Sequence, residues 1–360
     1  MKITLDCRHI SFSGGIGVYF KELLPFFLSS GASIILLGDE KILLQYAKNS
    51  AVKIINCNIK PFSLCDTFAF PKSILKKINS SDVYYSPYFN IPNGIKIPIY
   101  STIHDIIFPD MPDLVSKPGL MTRMYFYKRA ARLSKAIFTV SEFSKSRIKY
   151  FLGSSLNVIN ASNAVNAPLN VNSKNQFVKR KIILFIGNIK KHKGLNILLD
   201  AFLQCRNEGL DYELVIVGSR NNFRSKDKKM SKRLDSLEGQ GVSFTGYIND
   251  DEKWKLLAQS ALLVQPSLYE GFGYPPLEAM LSGTQVLISD ISVFKEVFSD
   301  FPVIFFHSKD IQSLHDKLSE ILLKKIPKPI HLSDSLRNKY TFEKTFLLIK
   351  EALWRHSSIQ

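Results

Sequence analysis

Two glutamates near the C-terminal third of the chain stand where charged side chains could act on a bound ligand. Glu270 and Glu278 have seven residues between them, and the glycine turn Gly271-Phe272-Gly273 follows the first. An apolar run at 261–264 predicts a buried parallel strand, with Glu270 expected at its end, and two consecutive prolines predict a helix start. Such a junction directs N–H groups and a positive partial charge at one point, so the segment predicts an anion site.

A lysine and a histidine follow two other apolar runs. Lys193 comes after the run 182–186 and directly precedes a glycine and a helical pattern, and His104 follows the run 97–102. Ligands of parallel sheets gather at the carboxyl ends of strands, so both side chains are expected beside a ligand. Structural interpretations stand next to these functional ones, because a lone histidine often only caps the next segment and a basic turn is often merely solvated.

Length, composition and charge limit the class of protein. The chain has 360 residues, 45% apolar and 22% charged, which indicates two globular domains of ordinary size. No apolar run approaches the roughly 20 residues that span a bilayer, and the N-terminus lacks the apolar core of a secretory signal. The four scattered cysteines indicate reduced thiols in the cytosol. The net charge of +17 predicts an anionic partner: a nucleotide or lipid diphosphate, a membrane surface or nucleic acid.

The elements that must position these residues form two series. Short apolar runs alternate with helical stretches, which predicts α/β architecture with doubly wound parallel sheets. The first series ends near residue 160, and the second begins at Lys181. A stretch rich in Asn, Ser, Ala and Pro separates them and predicts a linker. The expected boundaries are therefore 1–165 for the first domain, 166–180 for the linker and 181–340 for the second domain.

The filled-in motifs resemble those of a known enzyme family. The pattern Glu, seven residues, Glu, with Gly-Phe-Gly inside and Pro-Leu-Glu-Ala-Met at its end, resembles the signature of retaining glycosyltransferases of family 4. The segments Gly14-Gly15-Ile16-Gly17, Thr102-Ile103-His104-Asp105 and Val140–Lys145 resemble further motifs in the family's order. The resemblance is strongest over 181–290. It implies the GT-B fold, with two Rossmann-like domains facing each other across a cleft, and a final helix in 341–360 that crosses back to the first domain.

The resemblance also implies roles for individual residues. Glu270 would hold hydroxyls of the transferred sugar, Glu278 would bind the ribose, and Lys193 would bind the donor diphosphate. His104 and Glu270 are the implied catalytic residues. Asn188 and Val18 stand where relatives have arginines. The diphosphate contact at Asn188 is therefore expected to be weaker, or to be supplied by Lys190 or Lys191. The implied donor-binding set is Gly15, Gly17, Asn188, Lys193, Gly218, Tyr247, Glu270, Gly271, Phe272, Gly273, Tyr274 and Glu278.

A metal and a cofactor are not expected. The sequence contains no Asp-x-Asp triplet, the usual pair of carboxylates for a metal that bridges a nucleotide diphosphate. Helix dipoles, backbone N–H groups and lysines can stabilise a departing diphosphate in its place. The resemblance implies a retaining reaction at the front face of the sugar, in which a phosphate oxygen of the donor helps to deprotonate the acceptor hydroxyl.

The expected reaction transfers a hexose, with GDP-mannose favoured as donor, to a lipid-linked oligosaccharide or polysaccharide of the bacterial surface. The motif variants resemble those of O-antigen and exopolysaccharide mannosyltransferases. The expected location is the cytoplasm, with peripheral binding at the inner face of the membrane. A helix at 118–135 that is rich in aromatic and basic residues, including Arg123, Lys128, Arg129 and Arg132, fits an anionic membrane surface. It also fits a packed helix with a solvated basic face.

Two other function classes stay open at this stage. One is a nucleotide-sugar enzyme of the same fold that transfers nothing, such as a 2-epimerase. The other is a nucleic-acid-binding protein, which the positive charge permits. No Lys/Arg-rich aromatic motif of a known nucleic-acid module occurs, so nucleic acid is not the expected partner.

Overall fold

Two α/β units make up the chain. The computed structural model describes residues 1–10, 14–48, 50–168, 177–218, 228–323 and 326–355, with the backbone alone described at 228–231. The first unit combines Met1–Ala164 with Tyr340–Gln360, and the second is Val165–Lys339. Each unit has its own parallel sheet and its own hydrophobic core.

The first unit contains a seven-stranded parallel sheet with the order β3-β2-β1-β4-β5-β6-β7. The strand order reverses between the neighbours β1 and β4, which is where ligands bind in doubly wound sheets. Its strands are β1 Lys2–Asp6, β2 Ser33–Gly38, β3 Val52–Asn56, β4 Val83–Ser86, β5 Ile99–Thr102, β6 Ser134–Thr139 and β7 Val158–Asn160. Its first helices are α1 Gly15–Leu28, α2 Glu40–Leu43, α3 Leu64–Phe68, α4 Lys72–Ile78, α5 Ile107–Asp110, α6 Lys117–Leu133 and α7 Glu142–Leu152.

The second unit contains a six-stranded parallel sheet with the order β10-β9-β8-β11-β12-β13, which reverses between β8 and β11. Its strands are β8 Arg180–Ile186, β9 Glu213–Val217, β10 Val242–Gly246, β11 Ser260–Gln265, β12 Gln285–Ser289 and β13 Ile304–Phe306. Its helices are α8 Leu195–Asn207, α9 Lys228–Leu237, α10 Asp250–Gln259, α11 Tyr274–Leu281, α12 Ser292–Phe298, α13 Ile311–Leu322 and α14 Asp334–Arg337. The last helix, α15 Phe342–Trp354, belongs to the first unit.

Three of the inner strands form continuous buried runs. All six residues of β11 are buried, as are all four of β4 and β5. A parallel sheet with both faces covered requires such continuous runs rather than an alternating pattern. The strand predicted at 261–264 and the helix predicted after the two prolines are confirmed as β11 and α11.

The final helix completes the core of the first unit. The ring of Phe346 stacks on Phe26 with centroids 5.9 Å apart and meets Phe27 edge-on at 5.1 Å. The hydroxyl of Thr345 donates to the Ser162 carbonyl at 2.6 Å, and Ile349 is fully buried. The chain therefore returns to its first unit after it has formed the second.

Two predicted boundaries differ from the structure. The helix expected at 118–135 is α6, which ends at Leu133 because Ser134 is already extended and pairs with Ile99 in the sheet. The linker expected at 166–180 ends earlier, since Arg180 already begins β8. Most of that linker, 169–176, lies outside the described residues.

We expect Gly194→Ala to destabilise the second unit strongly. Gly194 has φ +67°, and a Cβ there would lie 1.9 Å from the carbonyl oxygen of Pro266. Strain and a backbone clash together should lower the free energy of unfolding by at least about 2 kcal/mol. The measurement is urea unfolding followed by the fluorescence of Trp254, in a Trp354→Phe background that removes the other tryptophan.

The matched control is Gly209→Ala, just beyond the other end of α8. Gly209 also has a positive φ, +97°, but a Cβ there would meet nothing within 4 Å. Only the backbone strain remains, so the loss should be about 1 kcal/mol. Equal losses for the two variants would contradict the close approach of Gly194 to the loop after β11.

Candidate active site

The carboxyl edge of the second sheet brings several predicted residues to one side of the unit. Asn188 and Lys193 follow β8, Gly218 follows β9, Tyr247 follows β10 and Glu270 follows β11. All neighbouring strands are parallel, so these four strand ends share one edge. Because β8 and β11 flank the reversal of strand order, Lys193 and Glu270 are held at the point where such sheets bind ligands.

Lys193 and Glu270 form an ion pair at this reversal. The Lys193 ammonium donates to both carboxylate oxygens of Glu270, at 2.6 Å and 2.8 Å, and the Ser267 hydroxyl donates to Oε1 at 2.7 Å. The two charged side chains are only 19% and 12% exposed. Partial burial makes this pair stronger than a solvated one, because water screens it less.

Two loops hold the pair in place. Lys193 ends a single turn of 3₁₀ helix, and the N–H of Leu268 donates to the His192 carbonyl at 2.7 Å, which ties the loop after β11 to that turn. The prediction that Glu270 ends a strand is wrong. The strand β11 ends at Gln265, and Glu270 lies further along a loop. This loop passes so close to Gly194 that only glycine fits there.

The glycine turn after Glu270 leads into α11. Gly273 has φ +123°, and a Cβ there would lie 2.9 Å from a ring atom of Phe294. Phe272 is 2% exposed, so its ring packs into the unit rather than facing a ligand. Pro275 and Pro276 lie in the first turn of α11 and have no N–H. The cluster of N–H groups expected from the sequence is therefore smaller, because two of the first four helical positions cannot donate.

Glu278 has a lysine of its own. Its Oε1 atom accepts from the Lys253 ammonium at 2.8 Å, and its side chain is 10% exposed. Lys253 also contacts Asp250 at 3.1 Å, but that carboxylate is 83% exposed. Burial lowers the pKa of Lys253, and the Glu278 and Asp250 carboxylates outweigh this and hold the pKa above its ordinary value. Sequence reasoning missed Lys253, since nothing in its spacing indicates which carboxylate on another helix it meets.

Gly218 has a structural reason for being glycine. Its N–H donates to the Gly246 carbonyl at 3.1 Å, and a Cβ there would lie 2.3 Å from the Gly187 oxygen. Asn188 is exposed, and Tyr247 is 82% exposed. Within the described ranges, the structure has no hydrogen bond from either side chain to the Lys193–Glu270 pair.

His104 lies at the carboxyl edge of the first sheet, just after β5. Its Nε2 atom donates to the Pro87 carbonyl at 3.0 Å, and its ring meets Tyr19 edge-on with centroids 4.8 Å apart. Burial lowers the pKa of His104 to about 4. The imidazole is therefore neutral near pH 7, and with the proton on Nε2 its Nδ1 atom is an acceptor.

A buried polar network at the reversal between β1 and β4 is a feature that the sequence reasoning missed. Arg8 binds Asp6 and Asp66, each at 2.7 Å, and His9 Nε2 donates to the amide oxygen of Asn90 at 2.5 Å. Burial raises the pKa of Asp6, but the neighbouring Arg8 outweighs it and lowers the pKa overall. Three polar residues within Asp6–His9, where the first strand ends, were the available signal.

Gly15 and Gly17 lie in the first turn of α1. Gly14 precedes them with φ +117°, Gly15 is exposed and Gly17 is buried. No side chain of the described residues caps this helix start. The loop residues 11–13, which belong to the resembling segment, lie outside the described residues.

The described residues contain no group of three His, Cys, Asp or Glu side chains that could hold a metal ion. No helix in the described ranges is long and apolar enough to cross a bilayer. Independence from metals and cofactors stays a prediction.

The second unit is similar in sequence to known proteins. Residues 168–339 match the family described as Glycosyl transferases group 1. Among curated proteins, O-antigen chain mannosyltransferase B of Escherichia coli is 29% identical over 232 residues, which are 61% of this chain and 59% of that protein. The mannosyltransferase RfbU of Salmonella typhimurium is 28% identical over 250 residues, 67% of this chain and 65% of that protein. The matches thus span less than two thirds of either relative.

Solved structures match over the full chain. Sucrose-phosphate synthase from Thermosynechococcus elongatus aligns with a TM-score of 0.71 at 16% identity and covers 100% of both chains. Anabaena HepE, crystallised with UDP and glucose, aligns with a TM-score of 0.72 at 18% identity, over 99% of this chain and 100% of that one. At such identities the likeness shows the fold alone, and it confirms the α/β GT-B class with two Rossmann-like parallel-sheet units. The matched segment is nearly the whole second unit, so this unit is similar in sequence to the glycosyltransferases of group 1.

Proposed function

We propose that this chain transfers a hexose from a nucleoside diphosphate sugar to a glycan acceptor. The observation behind the proposal is the Lys193–Glu270 pair at the reversal of the second sheet. A cation and a carboxylate fixed at one point suit a ligand with an anionic diphosphate next to a sugar with many hydroxyls. Lys193 would bind the diphosphate, and Glu270 would accept hydrogen bonds from the sugar.

Donor binding would rearrange this pair. In the structure both oxygens of Glu270 are bonded to the lysine. A bound diphosphate supplies new anionic oxygens for Lys193, and sugar hydroxyls supply new donors for Glu270, while Ser267 keeps its bond to Oε1. As the sugar–phosphate bond breaks, negative charge grows on the leaving diphosphate, and Lys193 would stabilise that charge without a metal.

His104 would act as an acceptor toward a hydroxyl group. Its neutral Nδ1 atom can accept a hydrogen bond, whereas the protonated ring would offer only donors. We assign it to the sugar or the acceptor hydroxyl on the basis of the family motif. Retention of the anomeric configuration, with a donor phosphate oxygen taking the acceptor proton, also follows from that resemblance. The NMR couplings of the product anomer test this directly.

GDP-mannose is the first donor to test, and a lipid-linked glycan of bacterial surface polysaccharide is the first acceptor. The support comes from the two relatives named above, both of which are O-antigen chain mannosyltransferases by name. A panel of GDP-, UDP- and ADP-hexoses with and without acceptor separates the alternatives. Transfer supports the proposal, whereas release of a free epimer without an acceptor would favour the 2-epimerase. Salt-dependent DNA binding with no donor turnover would favour the nucleic-acid alternative.

Peripheral membrane binding would involve one face of α6. The residues Met121, Tyr125, Lys128 and Arg132 are all exposed and lie four, three and four positions apart, which places them on one side of the helix. The other two basic residues expected at this surface are used internally. Arg129 is buried and donates to the Ile91 carbonyl, and Arg123 lies 4.3 Å above the ring of Phe108. Two apolar and two basic side chains thus remain for a lipid surface.

We expect Lys193→Met and Glu270→Gln to lower turnover by on the order of 100-fold or more, because each removes a preorganised electrostatic contact. Their affinities for a bare nucleoside diphosphate should differ. Lys193→Met loses the cation that binds phosphate, so its affinity falls. Glu270→Gln releases Lys193 from a competing carboxylate, so its affinity stays equal to that of the parent or rises. Calorimetry with GDP and UDP measures affinity, and transfer from the active donor measures turnover.

The control is Lys181→Met, the same change at an exposed ion pair of the same unit. Lys181 contacts Asp211 at 2.7 Å, and these side chains are 51% and 84% exposed. Its stability should change by less than about 1 kcal/mol, and its turnover should be that of the parent. Full turnover in Lys193→Met or Glu270→Gln would remove that residue from the proposed mechanism.

We expect His104 to make the free energy of unfolding depend on pH below neutrality. Its pKa is about 4 in the folded state and 6.5 ordinarily, so between these values the unfolded state binds more protons. The stabilisation is fully present above pH 6.5 and decreases as the pH falls toward 4. From pH 7.5 to 5 His104 should account for a decrease of about 2 kcal/mol, so the decrease measured for His104→Gln should be smaller than that of the parent by this amount. His9 and His192, whose pKa values burial also lowers, contribute to the decrease that remains. Urea unfolding at the two pH values measures this, and an NMR titration of His104 near its ordinary value would contradict it.

Liposome co-sedimentation tests the face of α6. Each basic side chain near an anionic surface contributes about 1 kcal/mol, so the double variant Lys128→Gln, Arg132→Gln should bind anionic vesicles roughly 10- to 30-fold more weakly. Lys181→Gln with Lys295→Gln removes the same charge from exposed positions of the second unit and should have little effect. Equal binding of the parent chain to neutral and anionic vesicles would refute the proposal.

A further inference from the structure

Lys253 has one buried partner and one exposed partner. It contacts Glu278 at 2.8 Å on the buried side and Asp250 at 3.1 Å on the exposed side. Lys253 itself is 18% exposed, and Glu278 is 10% exposed. The contact with Glu278 thus lies largely out of water, where charge pairing is strongest, and the contact with Asp250 is solvated.

Both helices that hold this contact have well-defined ends. The helix α10 begins with a capping box, in which Asn249 accepts from the Glu252 N–H at 2.9 Å and the Glu252 carboxylate accepts from the Asn249 N–H at 3.2 Å. Its next residue after Lys253, Trp254, is 6% exposed and anchors the helix to the unit. The first turn of α11 contains Pro275 and Pro276, whose rings restrict its backbone. The Lys253–Glu278 contact therefore joins two helices that pack against each other and whose first turns are fixed.

A neutral ligand cannot compensate the charge of Glu278. The hydroxyl groups of a ribose are uncharged donors, so a largely buried carboxylate that faced them alone would lack a counter-charge. A lysine on one oxygen supplies that counter-charge and also fixes the plane of the carboxylate. The Oε1 atom of Glu278 has this role in the structure.

We propose that Lys253 is a positioning residue for the donor nucleotide: it holds Oε1 of Glu278 so that Oε2 accepts hydrogen bonds from the ribose hydroxyls. This inference rests on the proposed function together with the ribose contact of Glu278 that the family resemblance implies. It gives the two lysines of the site different roles. Lys193 is expected to exchange its glutamate for the diphosphate, whereas Lys253 keeps its glutamate because the ribose brings no charge.

The test compares nucleotides with and without a ribose hydroxyl. The probe is whichever of GDP, UDP and ADP binds the purified full chain most tightly in calorimetry, together with its 2′-deoxy and 3′-deoxy forms. We expect Lys253→Met to weaken binding of the ribonucleotide by about tenfold and binding of at least one deoxynucleotide by less than about twofold, because the lost contact acts through a hydroxyl. Lys253→Arg should restore much of the loss.

Two further variants make the test specific. Asp250→Asn removes only the exposed partner of the same lysine and should bind every nucleotide like the parent. Glu278→Gln should lose the preference for ribose, and adding Lys253→Met to it should cause no further loss, because residues that act as a unit are not additive. Lys253→Gln, which also removes the charge beside Glu278, gives the same comparison if Lys253→Met does not fold.

Several outcomes would overturn the proposal. Additive losses in the double variant would mean that Lys253 acts independently of Glu278. An unchanged ratio of ribonucleotide to deoxynucleotide affinity in Lys253→Met, with the ratio lost in Glu278→Gln, would overturn the role of Lys253 and leave the proposed function intact. An unchanged ratio in Glu278→Gln would overturn the ribose role of Glu278 itself.

Discussion

The parallel pairing of β8 with β11 is the constraint on which the candidate site depends. These strands flank the reversal of strand order, so the connections that leave them diverge and open a space at their carboxyl ends. Lys193 lies in the loop after β8 and Glu270 lies in the loop after β11, 77 positions away in the sequence. The Lys193 Nζ atom and the Glu270 Oε1 atom are 2.6 Å apart. The Leu268–His192 hydrogen bond and the close approach of Gly194 to Pro266 keep the two loops together.

Charge compensation is the second principle of this unit. Each glutamate of the motif is largely buried and has its own lysine: Lys193 for Glu270 and Lys253 for Glu278. Neither carboxylate is left without a counter-charge, which in a partly dry site would be costly. The two pairs differ in their surroundings, because Ser267 supports the first and a capped helix supports the second. This difference is the physical basis for assigning one pair to an anionic ligand group and the other to a neutral one.

The first unit also contains buried charged side chains that are paired with one another. Asp6, Arg8 and Asp66 compensate one another beside the β1–β4 reversal, where Tyr84 also donates to Asp6 at 2.6 Å. His9 and His104 both have lowered pKa values because burial disfavours their charged forms. Because the Nε2–H of neutral His104 donates to the Pro87 carbonyl, its Nδ1 atom is an acceptor and the ring carries no charge.

The sequence by itself determined the fold class, the likeness of the second unit to a glycosyltransferase family and the positions of the main charged residues. Continuous apolar runs are diagnostic of strands covered on both faces, and the spacing of Glu270, Gly271, Gly273 and Glu278 is local information. Only the tertiary structure decided the partners. It pairs Lys193 with Glu270 and Lys253 with Glu278, buries Arg129 inside the first unit, and makes Gly218 a packing residue. The reason is physical: periodicity depends on neighbours in sequence, whereas ion pairs, burial and close backbone approach depend on which strands become neighbours in space.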